Sequence, residues 1–77
     1  RPGGLKIDRA LVQQVVPDPI QRRVVRSLVQ LAHSLGAFVV LEGVETVEHL
    51  RVAQELEADY LQGYAFGKAL PLDTLLS

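Results

Sequence analysis

The chain has 77 residues, of which 48% are hydrophobic and 22% charged, and a formal net charge of -1, the composition of a globular domain without the bias that marks disorder. A chain of this length is at most one compact unit and buries only on the order of 60% of its unfolded surface, so other structure is expected to cover its apolar faces. Scattered basic residues leave no electrostatic footprint for polymeric DNA or RNA; the lack of cysteine excludes a disulfide framework and thiolate metal sites, and the longest apolar run, Ala37 to Leu41, is too short to span a bilayer.

Arg1-Pro2-Gly3-Gly4 reads as a cut through a loop and carries nothing of a signal peptide. Leu5-Lys6-Ile7-Asp8 is predicted to form a short strand, and Asp8 then offers an N-cap to a helical turn through Arg9, Ala10, Leu11 and Val12 that ends by Pro17. Asp18 before Pro19 signals a second helix start, because Asp accepts an orphan backbone N–H and Pro fits the first helical position. From there Ile20, Val24, Leu28, Leu31, Ala32 and Leu35 recur at three- and four-residue steps on one face, with Arg22, Arg23, Arg26 and Gln30 elsewhere and Gly36 as the C-terminal cap.

Phe38-Val39-Val40-Leu41 is a continuous apolar run of the kind that forms a parallel strand buried on both faces. Gly43 closes it, Thr46 caps a third helix, and Val47, Leu50, Ala53 and Gln54 trace that helix's inner side toward Leu56. Tyr60-Leu61-Gln62 reads as a third strand ending at Gly63, and Pro71 with Asp73 announces a last short helix at Thr74-Leu75-Leu76. The order strand, helix, strand, helix, strand implies an α/β fold of parallel strands with right-handed crossovers, either barrel or open sheet.

Alternation along the second strand puts Val40 and Glu42 on one side and Val39 and Leu41 on the other. If the apolar pair packs under the helices, Glu42 faces inward at the C-terminal edge. Lys6 and Gln62 sit in the other two strands, about 36 residues before and about 20 after Glu42, so each falls on a successive strand of a βαβ series. Barrel enzymes build their active sites at such strand ends. A lysine, a carboxylate and an amide there suit a reaction on an anionic substrate. Taken singly, Lys6 is ordinary as a surface residue and Gln62 as a loop-bonding amide, whereas a carboxylate beside a core needs a partner or a metal. His33 is better explained by solvent or a helix-end hydrogen bond than by metal ligation, and His49 by the surface. Glu45 and Glu48 bracket a helix start, where the helix dipole favours negative charge.

Leu5-Lys6-Ile7-Asp8-Arg9, Leu41-Glu42-Gly43-Val44-Glu45-Thr46 and Gln62-Gly63-Tyr64-Ala65-Phe66 resemble three successive motifs of EAL-domain cyclic-di-GMP phosphodiesterases. The intervening Val29-Gln30-Leu31-Ala32-His33-Ser34-Leu35-Gly36 also looks like that family's long helix. The resemblance implies the C-terminal part of a (βα)8 TIM-like barrel, with residues 1–77 supplying its last three strands and their helices, about a third of a domain of roughly 250 residues. It implies hydrolysis of cyclic di-GMP to linear pGpG in bacterial second-messenger signalling, with two Mg²⁺ or Mn²⁺ ions holding and activating the attacking water. By the same resemblance Glu42 matches the carboxylate on the second metal, Lys6 the lysine near the water, and Gln62 the amide that places a water. Glu45 corresponds to a loop-stabilising residue linked to the dimer interface, and Asp8 to a brace of the first strand end. A homodimeric parent in the cytoplasm, reaching a membrane only through segments outside this chain, is the matching expectation.

The sequence departs from the family at Ala69, where proline is frequent after Gly67-Lys68, at Ala10-Leu11 in place of Ser-Phe, and at Leu41 in place of Ala. None of these is a site position. The Glu-Ala-Leu motif itself, and the asparagine, glutamate and paired aspartates of earlier strands, are not in these 77 residues, so the chain alone is expected to be inactive and to depend on the N-terminal part of the same domain. The alternative reading is a non-catalytic EAL-like module that binds cyclic di-GMP or a protein. An unrelated nucleotide-binding sheet would call for a glycine-rich phosphate loop after the first strand, and the sequence has none.

Overall fold

Asp8 ends the first strand and starts the first helix, because its carboxylate accepts the Leu11 N–H at 3.0 Å and so satisfies an otherwise orphan donor. In the computed structural model, which describes residues 3–63 and 70–71, strand β1 (Gly4–Ile7) accordingly runs straight into helix α1 (Arg9–Val15). Asp18 acts in the same way on Ile20 and Gln21 to open helix α2 (Pro19–Ser34). Gly36, at φ 80°, closes α2 as expected: Gly36 N–H donates to the His33 carbonyl and Ala37 N–H to that of Ala32, the paired bonds of a Schellman ending. Strand β2 (Phe38–Glu42) follows, Thr46 caps helix α3 (Val47–Leu56), and strands β3 (Tyr60–Gln62) and β4 (Leu70–Pro71) complete the described elements.

The sheet order is β1-β2-β3-β4, with the first three strands parallel and β4 antiparallel to β3. The parallel trio is the one expected from sequence. Strand β4 is not: Pro71 had read as a helix-start signal, yet it pairs with Tyr60 at the sheet edge, where a residue without an N–H sacrifices no interior ladder bond. The helix expected at Thr74-Leu75-Leu76 lies outside the described residues, as do Tyr64-Ala65-Phe66 and Ala69.

One face of the sheet carries the core. Ile7, Val39, Leu41 and Leu61 meet Val12 and Val15 of α1, Val25, Val29 and Ala32 of α2, and Val52, Ala53 and Leu56 of α3. Strand β2 is central, and Val39, Val40 and Leu41 are all buried, which explains its unbroken apolar sequence. The apolar stripe read along α2 is, apart from Ala32, not the face that packs on this sheet. Ile20, Val24, Leu28, Leu31 and Leu35 are 50–72% exposed, and the buried positions are Val25, Val29 and Ala32. Both sets recur at helical spacing, so α2 has two adjacent apolar stripes, and contact with the sheet selects the one built from smaller side chains.

Polar ties hold the helices to one another. Arg22, in the first turn of α2, donates from Nη1 to the Val15 and Val16 carbonyls at the end of α1, and its Nε lies 2.9 Å from a carboxylate oxygen of Glu55 on α3, poorly aligned for a hydrogen bond. At the N-terminal end of the sheet Asp59 accepts the Val39 N–H and pairs with His33 Nε2, both at 2.7 Å. His33 thus meets an acidic partner in the α3–β3 connection, not only solvent or its own helix end. Replacing Arg22→Ala in the complete domain is expected to cost about 1.5–3 kcal/mol, the range for hydrogen bonds to a charged group, measured by urea unfolding; Arg22→Lys should recover part of it.

Candidate functional site

Successive side chains of a strand point to opposite faces, and the observed register turns that rule into a site. Gly4 pairs with Phe38, Lys6 with Val40, Val40 with Tyr60, and Glu42 with Gln62. These residues share the sheet face opposite the helices. From the N-terminal end upward the face therefore carries Phe38 level with Gly4, then Lys6, Val40 and Tyr60 on one rung, then Glu42 and Gln62 at the C-terminal strand ends; the Phe38 and Tyr60 rings meet edge to face across adjacent rungs, centroids 5.6 Å apart. Lys6 Nζ lies 3.9 Å from Glu42 Oε2, with the Glu42 side chain 30% exposed. The three residues singled out from sequence are therefore brought to one face and one end of the sheet.

The turn after Glu42 is held from several sides. Gly43 has φ 79°, a region that favours glycine, and a Cβ at this position would come within 2.8 Å of Arg9 Cβ and 2.7 Å of Arg9 Cγ. Val44 N–H donates to the Gln62 carbonyl at 3.1 Å, joining the end of β2 to the end of β3. Gly63 approaches the Val44 carbonyl so closely that a Cβ would overlap its oxygen. Glu45 pairs with Arg9 at 3.5 Å, and its N–H donates to His49 Nδ1 at 2.9 Å. This bond requires an unprotonated Nδ1. Thr46 Oγ1 in turn accepts the His49 N–H at 3.1 Å.

Asp8, Glu45 and their neighbours can be placed accordingly. Asp8 caps α1, directly after the strand that bears Lys6. Glu45 faces Arg9, a residue the sequence reading gave no role; its only signal was its place in the first motif. His49, expected at the surface, is half-buried and tied to Glu45.

The Glu42 carboxylate and the Gln62 amide oxygen are hard donors of the type Mg²⁺ and Mn²⁺ take. Among the described residues no three His, Cys, Asp or Glu side chains are grouped closely enough to hold a metal ion. These residues fit a contribution to such a site rather than a complete one. A groove of about 610 Å³ lies elsewhere, between the α1–α2 turn and α3, lined by residues such as Arg22, Glu48, Arg51 and Glu55, and none of its lining residues belongs to the inner face of the sheet.

With that geometry in place, comparison with known proteins is specific. The EAL domain family model matches residues 1–69. PdeN of Escherichia coli, a probable cyclic di-GMP phosphodiesterase, is 38% identical over 69 residues, which cover 90% of this chain and 13% of PdeN. The crystal structure of an EAL domain protein from Listeria monocytogenes matches with TM-score 0.76 and 36% identity, over 95% of this chain and 30% of that one. The EAL enzyme Bd1971, in its cAMP- and cyclic-di-GMP-bound form, matches with TM-score 0.75 and 39% identity, over 96% of this chain and 20% of that one. The chain thus spans about a tenth of the length of the curated relatives it matches.

The close approach at Gly63 gives a direct test of the strand-end geometry. Gly63→Ala must push the end of β3 away from Val44, and in the complete domain it should cost about 1–3 kcal/mol of stability, the usual range for overpacking, read as a lowered midpoint in thermal or urea unfolding.

Proposed function

The chain belongs to the EAL domain family, and from that membership we propose that the complete domain hydrolyses cyclic di-GMP to the linear dinucleotide pGpG, with this chain supplying Lys6, Glu42 and Gln62. Its parallel sheet and outer helices are a sector of a TIM-type barrel, the fold of its structural neighbours. The observation that carries the proposal is the convergence of those three side chains on the inner face, at the C-terminal strand ends, where barrels build active sites.

Two Mg²⁺ or Mn²⁺ ions, when bound, would supply Lewis acidity and a water of lowered pKa. Glu42 offers one carboxylate to that centre, on the last residue of β2. Gln62, its register partner, offers an amide that can orient a water as donor or acceptor. Lys6 places a positive charge beside them, which favours negative charge on the scissile phosphate and on the attacking oxygen. The remaining donors belong to the rest of the domain, so the chain alone should be inert. The same absent part would cover Ile20, Val24, Leu28, Leu31 and Leu35, whose exposure would otherwise leave a large apolar stripe in water. A cytoplasmic domain in a homodimeric parent is the reading that accompanies this substrate and this family. No helix among the described residues is long and apolar enough to cross a membrane.

Two measurements test these readings. With Mg²⁺ or Mn²⁺ the complete parent should cleave cyclic di-GMP, Glu42→Ala should lose more than the roughly 10–100-fold typical of a change outside the metal's direct ligands, and the 77-residue chain should show no turnover. A parent that binds the dinucleotide without cleaving it would instead establish a receptor. Leu28→Asp should destabilise the complete domain by several kcal/mol, as burial of an unpaired charge does; a change within about 0.5 kcal/mol, the surface range, would show the stripe to be uncovered.

A further inference from the structure

Lys6 and Glu42 reach the inner face from different strands, and one residue touches both strand ends. Arg9 is the first residue of α1, one position beyond the Asp8 cap and three beyond Lys6. Its side-chain stem lies against Gly43, the residue directly after Glu42, and its guanidinium pairs with Glu45 at 3.5 Å. The Gly43 contact and the Glu45 pair bracket the turn at both ends. Between them the Val44 N–H is fixed to the Gln62 carbonyl. We infer that Arg9 is a positioning residue for the hydrolysis proposed above, on which this inference rests: it locks the turn after β2 to the end of β1 and so sets the direction in which Glu42 presents its carboxylate to a divalent cation.

The pair has the character of a positioning device rather than a stabilising one. The Arg9 side chain is 59% exposed, and ion pairs this open contribute little to folding stability. Removing the guanidinium should therefore leave the unfolding midpoint nearly unchanged while loosening the turn that orients a metal donor. Outer partners of metal ligands commonly alter metal affinity or activity by about 10–100-fold when lost.

The test uses the complete parent with Arg9→Ala, Arg9→Lys, Glu45→Ala and the Arg9→Ala/Glu45→Ala pair. Cyclic di-GMP hydrolysis is followed against Mn²⁺ concentration, Mn²⁺ binding is measured by calorimetry, and folding is checked by thermal unfolding. Arg9→Ala is expected to lower kcat about 10–100-fold and to raise the Mn²⁺ dissociation constant by a comparable factor, with KM for the dinucleotide within about threefold. Arg9→Lys should recover part of both, and the double variant should be no worse than the more impaired single one, since both act through one contact. Unchanged metal affinity and kcat in a folded Arg9→Ala protein would overturn the inference alone, as would losses that multiply in the double variant. A wild-type parent that neither cleaves the dinucleotide nor binds Mn²⁺ would remove the hydrolytic reading and this inference together.

Discussion

The hydrogen-bond ladders that join β1, β2 and β3 run parallel and in one register, and a shift of a single residue would turn every side chain to the other face. In the observed register Ile7, Val39, Leu41 and Leu61 lie under the helices, while Lys6, Glu42 and Gln62 gather on the opposite side. Core and site are thus two faces of the same pairing. The apolar demand of one face fixes the register, and the register positions the polar residues of the other.

The helices secure that register from outside. Two Asp caps start α1 and α2, Arg22 ties α1, α2 and α3 to one another, and Asp59 links His33 with the beginning of β2. Helix α2 has more apolar surface than this sheet uses, and the surplus includes Leu28, Leu31 and Leu35, which with Leu5 of the edge strand line an open apolar hollow. Buried apolar faces are the dominant favourable term in folding. The location of this surplus, beside the outer strand of the sheet, fits a sector whose neighbour completes it.

Much of this was legible in the residues. The capped helices, the buried central strand and the convergence of Lys6, Glu42 and Gln62 follow from capping chemistry, β-branched runs and alternation. The buried face of α2 was not legible, because two stripes satisfy the same period and only packing chooses between them. Strand β4 was not legible because proline marks both helix starts and strand edges. The Arg9–Glu45 and His33–Asp59 pairs join residues 36 and 26 apart, and no local pattern announces which long side chain will reach which carboxylate. Glu42, by contrast, was readable as a candidate because a carboxylate directly after a buried strand has few innocent explanations.

The edge-to-face pair of Phe38, below Val40 on β2, and Tyr60, level with Val40 on β3, has a consequence for how the inner face can be approached. The two rings give the lower part of this face a largely apolar surface, whereas Glu42 and Gln62 make its C-terminal edge polar. A ligand held by polar contacts would therefore meet this face from its C-terminal edge. The opposite end, with His33 and Asp59, acts on that edge only through the backbone of β2, which Asp59 holds at the Val39 N–H.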